Sequence, residues 1–213
     1  MARSRRIAFL ARQTKGYRRV IDIGTDHGYV LKEAFDRYGI EHGIATDIRK
    51  NPLDQARRTL SGYPVSFYQT EGFRGITEPF DLAIIAGMGA NTILAILKEA
   101  PDHDFSCLLQ ANGKHGILRL GLAELGYRIT DEHVLVDGHN YVIIAAERGR
   151  MELSEEDRLL GPFLKEKKEA IPYFEFRIGV IEGIIGTVDR EKRRSLLREL
   201  ELFRNAARRL KSQ

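Results

Sequence analysis

From residue 20 to residue 147, short apolar runs alternate with amphipathic stretches of helix length, and this alternation constrains the fold more than any other feature. Val20-Ile21-Asp22-Ile23-Gly24 reads as a buried strand entering a glycine turn, with a helix predicted over 29–38. Residues 43–47 form a second apolar strand, and Pro52 suits the first turn of a helix that runs to about Leu60. Further strands are predicted at 65–68, 81–86 and 105–110, with helices at 91–99 and 115–125. The runs 127–136 and 141–147 flank Asp137-Gly138, a pair suited to an antiparallel hairpin turn. Strands separated by single helices fold as a parallel sheet wrapped by helices, so the fold class is α/β and Rossmann-like. A short helix over 3–14, with Ile7, Leu10 and Ala11 on one face, precedes the first strand.

The pattern changes after Gly149. Ser154 followed by Glu155, Glu156 and Asp157 is a helix start with a side-chain cap and acids in the first turn. Ile171, Phe174, Ile178, Ile181, Ile185 and Val188 then recur at heptad-like spacing, as do Leu196, Leu200, Phe203, Ala207 and Leu210. Gly186-Thr187 and a potential cap at Asp189 separate the two seams, which predicts an antiparallel helical, coiled-coil-like hairpin. Gly179 and Gly183 weaken its first arm by roughly 1 kcal/mol each. The expected organisation is therefore a Rossmann-like domain over 1–150 and a helical hairpin over 151–213.

Composition narrows the functional classes. With 43% hydrophobic and 30% charged residues in 213, the chain can bury a core. No run approaches the 18 apolar residues of a membrane span, and 7–11 is too short for a secretory core segment. One cysteine, Cys107, excludes an internal disulfide framework and any cysteine-rich metal site, and its apolar neighbours predict a buried, inert thiol. His103, His115, His133 and His139 lack metal-ligand spacing and are expected at the surface. The expectation is a cytoplasmic protein, monomeric, with no metal and no membrane contact. Its charge is uneven. Residues 1–19 carry seven basic groups, Arg3 among them, and no acid; the middle is mildly acidic; the segment from 149 onward is basic again. An acidic pocket suits a cationic cofactor, and basic flanks suit nucleic acid.

The chemistry concentrates in Asp22-Ile-Gly-Thr-Asp-His-Gly28, at the first strand–turn–helix junction. A dinucleotide site wants three glycines spaced G-x-G-x-x-G, whereas only Gly24 and Gly28 stand here. Asp26 falls where a pyrophosphate would lie and would repel it. S-adenosylmethionine carries a sulfonium, an ammonium and no phosphate, so an acidic turn suits it. Asp47-Ile48 ends the second strand, where a carboxylate can accept both ribose hydroxyls. Glu71-Gly72 follows the third strand and can border the adenine. Ala86-Gly87-Met88 closes the fourth, where ligands bind beyond carboxyl ends. His27 is a candidate for the methionine pocket, and Met88 for packing on the adenine. The expected cofactor set is thus Asp22, Gly24, Asp26, His27, Gly28, Asp47, Ile48, Glu71, Gly72, Ala86, Gly87 and Met88.

These residues resemble the bacterial tRNA (adenine-N1)-methyltransferase family called TrmK. The resemblance rests on Asp22-Ile-Gly-Thr-Asp-His-Gly-Tyr29, Ala86-Gly-Met-Gly89, Leu109-Gln110 with Asn112, Gly126-Tyr127, Leu153-Ser-Glu-Glu-Asp157 and Gly161-Pro162. It departs at Val30-Leu31, Ala90, Ala111 and Val142. The resemblance implies a class I S-adenosylmethionine-dependent methyltransferase domain with a C-terminal coiled coil. It also implies methylation of N1 of adenosine 22 in tRNA, with S-adenosylhomocysteine as product. Asp26, bonding the adenine amino group, and Tyr29, stacking on the base, are the expected catalytic residues. The basic run Arg190-Glu-Lys-Arg-Arg194 is a candidate for RNA phosphates. A methyltransferase for another RNA or a small molecule, and a non-catalytic RNA-binding protein retaining the fold, are the alternatives.

Overall fold

A computed structural model describes residues 4–213. The chain begins with α1 (Arg5–Arg12); Arg3, the first residue of the predicted 3–14 helix, lies outside the described residues. Then follow β1 (Arg19–Ile23), α2 (Tyr29–Tyr38), β2 (His42–Asp47), α3 (Lys50–Thr59), β3 (Val65–Gln69), β4 (Leu82–Met88), α4 (Ala90–Lys98), β5 (Ser106–Ala111), α5 (His115–Glu124), β6 (Tyr127–Asp137) and β7 (His139–Arg148). The seven strands lie in the order β3-β2-β1-β4-β5-β7-β6. All are parallel except β7, which slots antiparallel between β5 and β6 through the Asp137-Gly138 turn. Strand order reverses between β1 and β4, and ligands bind at such a switch point beyond the carboxyl ends of the strands.

Successive residues of a strand point to opposite faces, so the apolar runs feed two layers. Ile21, Ile23, Ile44, Ala83, Ile85, Cys107 and Leu109 face α4 and α5. Val20, Ala45, Leu82, Ile84 and Leu108 face α1 and α2. Buried on both sides, these strands read as continuous apolar runs rather than as alternating ones. Cys107 is 1% exposed, and burial pushes its thiol up to about 12, so it packs as a hydrophobe.

Beyond β7, α6 (Glu155–Leu160) starts at Ser154, whose hydroxyl accepts the Asp157 N–H while Asp157 takes the Ser154 N–H, a reciprocal cap. α7 (Ile171–Ile184) and α8 (Arg190–Lys211) form the hairpin, with Asp189 capping α8 through the Lys192 N–H. The predicted first seam reaches Val188, but the helix stops at Ile184 and the last part of the seam lies in the turn. The seam residues Phe174, Ile181, Leu196, Leu200, Phe203, Ala207 and Leu210 are buried, joined by Tyr173 and Ala206, in the cluster that also holds the α4–α5 face of the sheet. One core therefore runs from the sheet into the hairpin. Arg177–Glu199 (2.5 Å) and Arg204–Glu182 (2.5 Å) pair α7 with α8 at its margin.

Candidate active site

The turn after β1 is pinned to β2: the Gly24 and Thr25 N–H groups both donate to the Thr46 carbonyl, at 2.8 and 2.9 Å. Two positions in it require glycine. Gly24 has φ +75°, and a Cβ there would lie 2.4 Å from the Met88 methyl. Gly28 has φ +73°, and a Cβ there would lie 2.8 Å from Leu60, so its absence lets α2 and α3 pack closely. Asp26 is left-handed too, at φ 52°, a conformation that Asp and Asn tolerate better than most residues. Gly28, not Asp26, is the N-cap of α2, and it makes no side-chain cap. The exposed Asp26 carboxylate instead lies 2.9 Å from His27 Nδ1.

Below this turn Asp22 is buried, and its Oδ2 accepts the Thr25 hydroxyl at 2.7 Å. Burial pushes its pKa up to about 6; the Thr25 hydrogen bond opposes the shift, and the Asp47 charge adds to it. Asp47 ends β2, 4% exposed, with Oδ1 accepting the Arg49 N–H at 2.8 Å. Two carboxylates thus sit close enough to feel one another at the switch point.

A cleft of about 1430 Å³ opens over the strand ends. Gly24, Asp26, Asp47, Ile48, Glu71, Gly72, Ala86, Gly87 and Met88 line it, which brings together residues from four loops. Asp22, also expected in the cofactor set, is buried and does not line it. His27 lines a neighbouring recess with Asp26 and Pro52, and Gly28 is buried against Leu60 and Ala56. Tyr29, 49% exposed, sits at the start of α2 with its ring 5.6 Å from that of His27, and it does not line the cleft.

The far wall is built by a bulge in β4. Ala86 pairs with Gln110 and Met88 with Ala111, which leaves Gly87 out of register at φ +78°. Its peptide groups are taken by side chains: the N–H donates to Gln110 Oε1 at 3.1 Å, and the carbonyl accepts from Asn112 Nδ2 at 2.8 Å. The sequence pointed to Gln110 and Asn112 at this strand end, but not to their interlock with Gly87.

Several cleft residues escaped the sequence reading. Arg6 arrives from α1, and its only signal was its charge. Thr70 and Arg74 follow β3, and Tyr173, Phe176 and Arg177 come from the hairpin; Lys192, from the basic run expected to meet RNA, joins them. His115 corrects an expectation. Predicted at the surface, it is held between the Tyr173 hydroxyl (Nδ1, 3.0 Å) and the Ala111 carbonyl (Nε2, 3.3 Å). Burial, then the Arg119 charge, pushes it down to about 4, so it is neutral at physiological pH. Nothing local in the sequence places Tyr173 over it, 58 residues later. Among the described residues no group of three or more His, Cys, Asp or Glu is arranged to hold a metal, and no helix is long and apolar enough to cross a membrane.

Known proteins share this architecture over its whole length. A computed likeness with TM-score 0.89 relates the chain to a Streptococcus agalactiae protein of the NADB-Rossmann superfamily, 22% identical and covering 97% of this chain and 98% of that one. The Bacillus subtilis M1A22 tRNA methyltransferase TrmK superposes with TM-score 0.83 at 25% identity, covering 96% of this chain and 98% of that one. In sequence, a Bacillus subtilis tRNA (adenine(22)-N(1))-methyltransferase is 29% identical over 200 residues, 84% of each chain. Residues 20–203 match the family model described as TrmK, tRNA (adenine(22)-N(1))-methyltransferase. The chain, with two buried carboxylates at the switch point and its appended hairpin, belongs to the TrmK family of tRNA (adenine(22)-N(1))-methyltransferases.

Proposed function

We propose that the chain transfers the methyl group of S-adenosylmethionine to N1 of adenosine 22 in tRNA. One observation carries the reading: the cleft at the β1/β4 switch point gathers Gly24, Asp47, Glu71, Gly72 and Met88 near the buried Asp22 carboxylate in a member of this family. The donor set fits this cofactor. The Asp22 and Asp47 carboxylates favour a cation, the turn lacks the third glycine of a pyrophosphate site, and Gly24 lets Met88 close onto the turn. A Streptococcus pneumoniae neighbour of the same fold was solved with S-adenosyl-L-methionine, and a Mycoplasma capricolum TrmK with S-adenosyl-homocysteine.

When bound, the cofactor supplies an activated methyl group on a sulfonium. Asp47 accepts the ribose hydroxyls, Glu71 and Gly72 border the adenine, and Met88 packs on it. Asp22 acts through its charge without lining the cleft. Adenine N1 has an in-plane lone pair, so the chain need not remove a proton before attack. Its task is to align that nitrogen, keep water out and stabilise the positive charge the base gains. Asp26 takes a hydrogen bond from the adenine amino group. Tyr29, its half-exposed ring beside that of His27 and next to the cleft, stacks on the base, and His27 borders the methionine end of the cofactor. Residues 151–213 bind tRNA through Arg190, Lys192, Arg193 and Arg194, all exposed at the start of α8. In this reading the protein acts as a monomer, and the tRNA substrate places the work in the cytoplasm.

The direct test is transfer from labelled S-adenosylmethionine to unmodified tRNA, followed by nucleoside digestion and mass spectrometry. N1-methyladenosine that vanishes when adenosine 22 is replaced supports the reading. Cofactor binding without transfer to tRNA moves the substrate elsewhere. Asp26→Asn, which keeps the left-handed turn, is expected to lower turnover roughly tenfold while cofactor affinity and Tm hold. Unchanged turnover removes Asp26 from the mechanism.

Proton linkage gives a second check. Free Asp22 holds a proton below about 6, against 3.8 for an ordinary aspartate, whereas a bound cation favours its ionised form. Cofactor binding should therefore release a proton below pH 6 and weaken as the pH falls through that value. The unliganded fold has the opposite slope, losing stability as pH rises from about 4 to about 6. Calorimetry in buffers of different ionisation enthalpy reads the proton. Affinity independent of pH between 5 and 7 would separate Asp22 from the cofactor.

A further inference from the structure

α1 precedes the stretch that matches the family, and it contributes a side chain to the cleft. The helix is tied down at its start. Asp137, at the tip of the β6–β7 hairpin, accepts the Arg5 N–H at 2.9 Å, and Arg5 Nη1 donates to the Val136 carbonyl at 3.2 Å. From this anchored turn Arg6 reaches over the sheet. Its guanidinium lies 5.3 Å from the centre of the Tyr141 ring, and Nη1 donates to Gln110 Oε1 at 3.0 Å.

That bond is the root of a chain. Gln110 is 1% exposed, and its Oε1 takes two donors, Arg6 and the Gly87 N–H. With its oxygen so engaged, the Gln110 amide must turn Nε2 toward Asn112, where it donates to Oδ1 at 3.3 Å. Asn112 in turn donates from Nδ2 to the Gly87 carbonyl at 2.8 Å, and its own backbone N–H donates to the Met88 carbonyl at 2.9 Å. An asparagine amide offers two donors and accepts two hydrogen bonds. One of each is used here, so the exposed Asn112 keeps one donor and one acceptor, and it lines the cleft. A neighbouring donor–acceptor pair on an asparagine amide matches the N7 and 6-amino edge of adenine. Recognition on that edge leaves N1 free to accept a methyl group, and leaves the second amino hydrogen for Asp26.

We propose that Arg6 is a positioning residue, holding Gln110 and through it Asn112 so that Asn112 reads the N7/6-amino edge of the target adenine. The proposal rests on the adenosine-22 reading above. Arg6→Ala leaves Gln110 Oε1 with the Gly87 N–H alone, so one of its two restraints and the only charge-assisted one is gone, and Asn112 is held through a looser partner.

The test is steady-state methyl transfer to a tRNA carrying either adenosine or 7-deazaadenosine at position 22, with wild-type protein, Arg6→Ala and Arg6→Lys. Arg6→Ala is expected to lower kcat about tenfold or more, since a charge-assisted hydrogen bond is lost. S-adenosylhomocysteine affinity stays within twofold of wild type, and Arg6→Lys recovers part of the rate. 7-Deazaadenosine lowers wild-type kcat/KM about tenfold and barely lowers that of Arg6→Ala further, because the contact it removes is already gone. A wild-type kcat in Arg6→Ala, or equal losses to 7-deazaadenosine in both proteins, overturns the role of Arg6. If Arg6→Ala does not fold, the wild-type protein decides: full activity on the 7-deaza tRNA overturns the proposal. A wild-type protein inert on unmodified tRNA instead overturns the reading on which the proposal rests.

Discussion

Glu132→Ala is expected to destabilise the protein by about 3–5 kcal/mol and to lower Tm on the order of 10 °C. Glu132 and Arg119 pair at 2.7 Å with both side chains fully buried. Around them the segment that leads to the hairpin is held by its backbone. Arg119 Nη1 donates to the Arg158 and Leu159 carbonyls, each at 3.1 Å, and Glu132 Oε2 accepts the Phe163 N–H at 3.1 Å and the Leu164 N–H at 3.4 Å. Removing the carboxylate strands a buried guanidinium and two backbone donors. Gly161 shows how tight the arrangement is: at φ +100°, a Cβ there would lie 2.3 Å from Glu132 Oε2. The double variant Arg119→Met/Glu132→Leu removes both charges and fills the space, so it should lose markedly less than the sum of the single losses. Thermal or urea denaturation of wild type, Arg119→Met, Glu132→Leu and the double variant measures the difference. Additive losses would mean that the two charges do not act as a pair.

The second large effect falls on cofactor binding. Asp47→Ala is expected to weaken S-adenosylhomocysteine binding by at least about 100-fold, since two charge-assisted hydrogen bonds to the ribose are lost at about 1.5–3 kcal/mol each. Asp47→Asn keeps an acceptor and should fall between the two. Titration calorimetry reads the affinity, and Tm guards against a trivial cause, because Asp47 Oδ1 also accepts the Arg49 N–H. Affinity unchanged in Asp47→Ala would take this residue out of the ribose site.

Much of the scaffold was legible because its signals are local. The predicted helix at 29–38 coincides with α2, the Ser154 and Asp189 caps are formed, and the α8 seam with Phe174 and Ile181 is buried where its spacing put it, while Ile171, Ile178, Ile185 and Val188 are half-buried against the same core. The acid-ended and glycine-ended strands could be read for the same reason: a turn needing positive φ or a carboxylate at a strand end leaves its mark within a few residues. The cleft that gathers Gly24, Asp47, Glu71 and Met88 follows once those strands are parallel neighbours.

What escaped depends on partners far apart in the chain. His115 looked like a surface histidine because Tyr173 is 58 residues away. Arg119 and Glu132 carry no local mark of their pairing, which forms where α6 closes over both and buries them. Arg6 and Gln110 are 104 residues apart, and no periodicity links them. The amino-acid sequence by itself determined the alternating elements, their caps and turns, and the chemistry offered at each strand end, because those follow from φ preferences and apolar spacing over one or two turns. Tertiary structure alone decided that β7 enters between β5 and β6, that α1 reaches the cleft, and which buried charges meet. Such choices are made by burial and by hydrogen bonds across the sheet, and these exist only once the strands have taken their order.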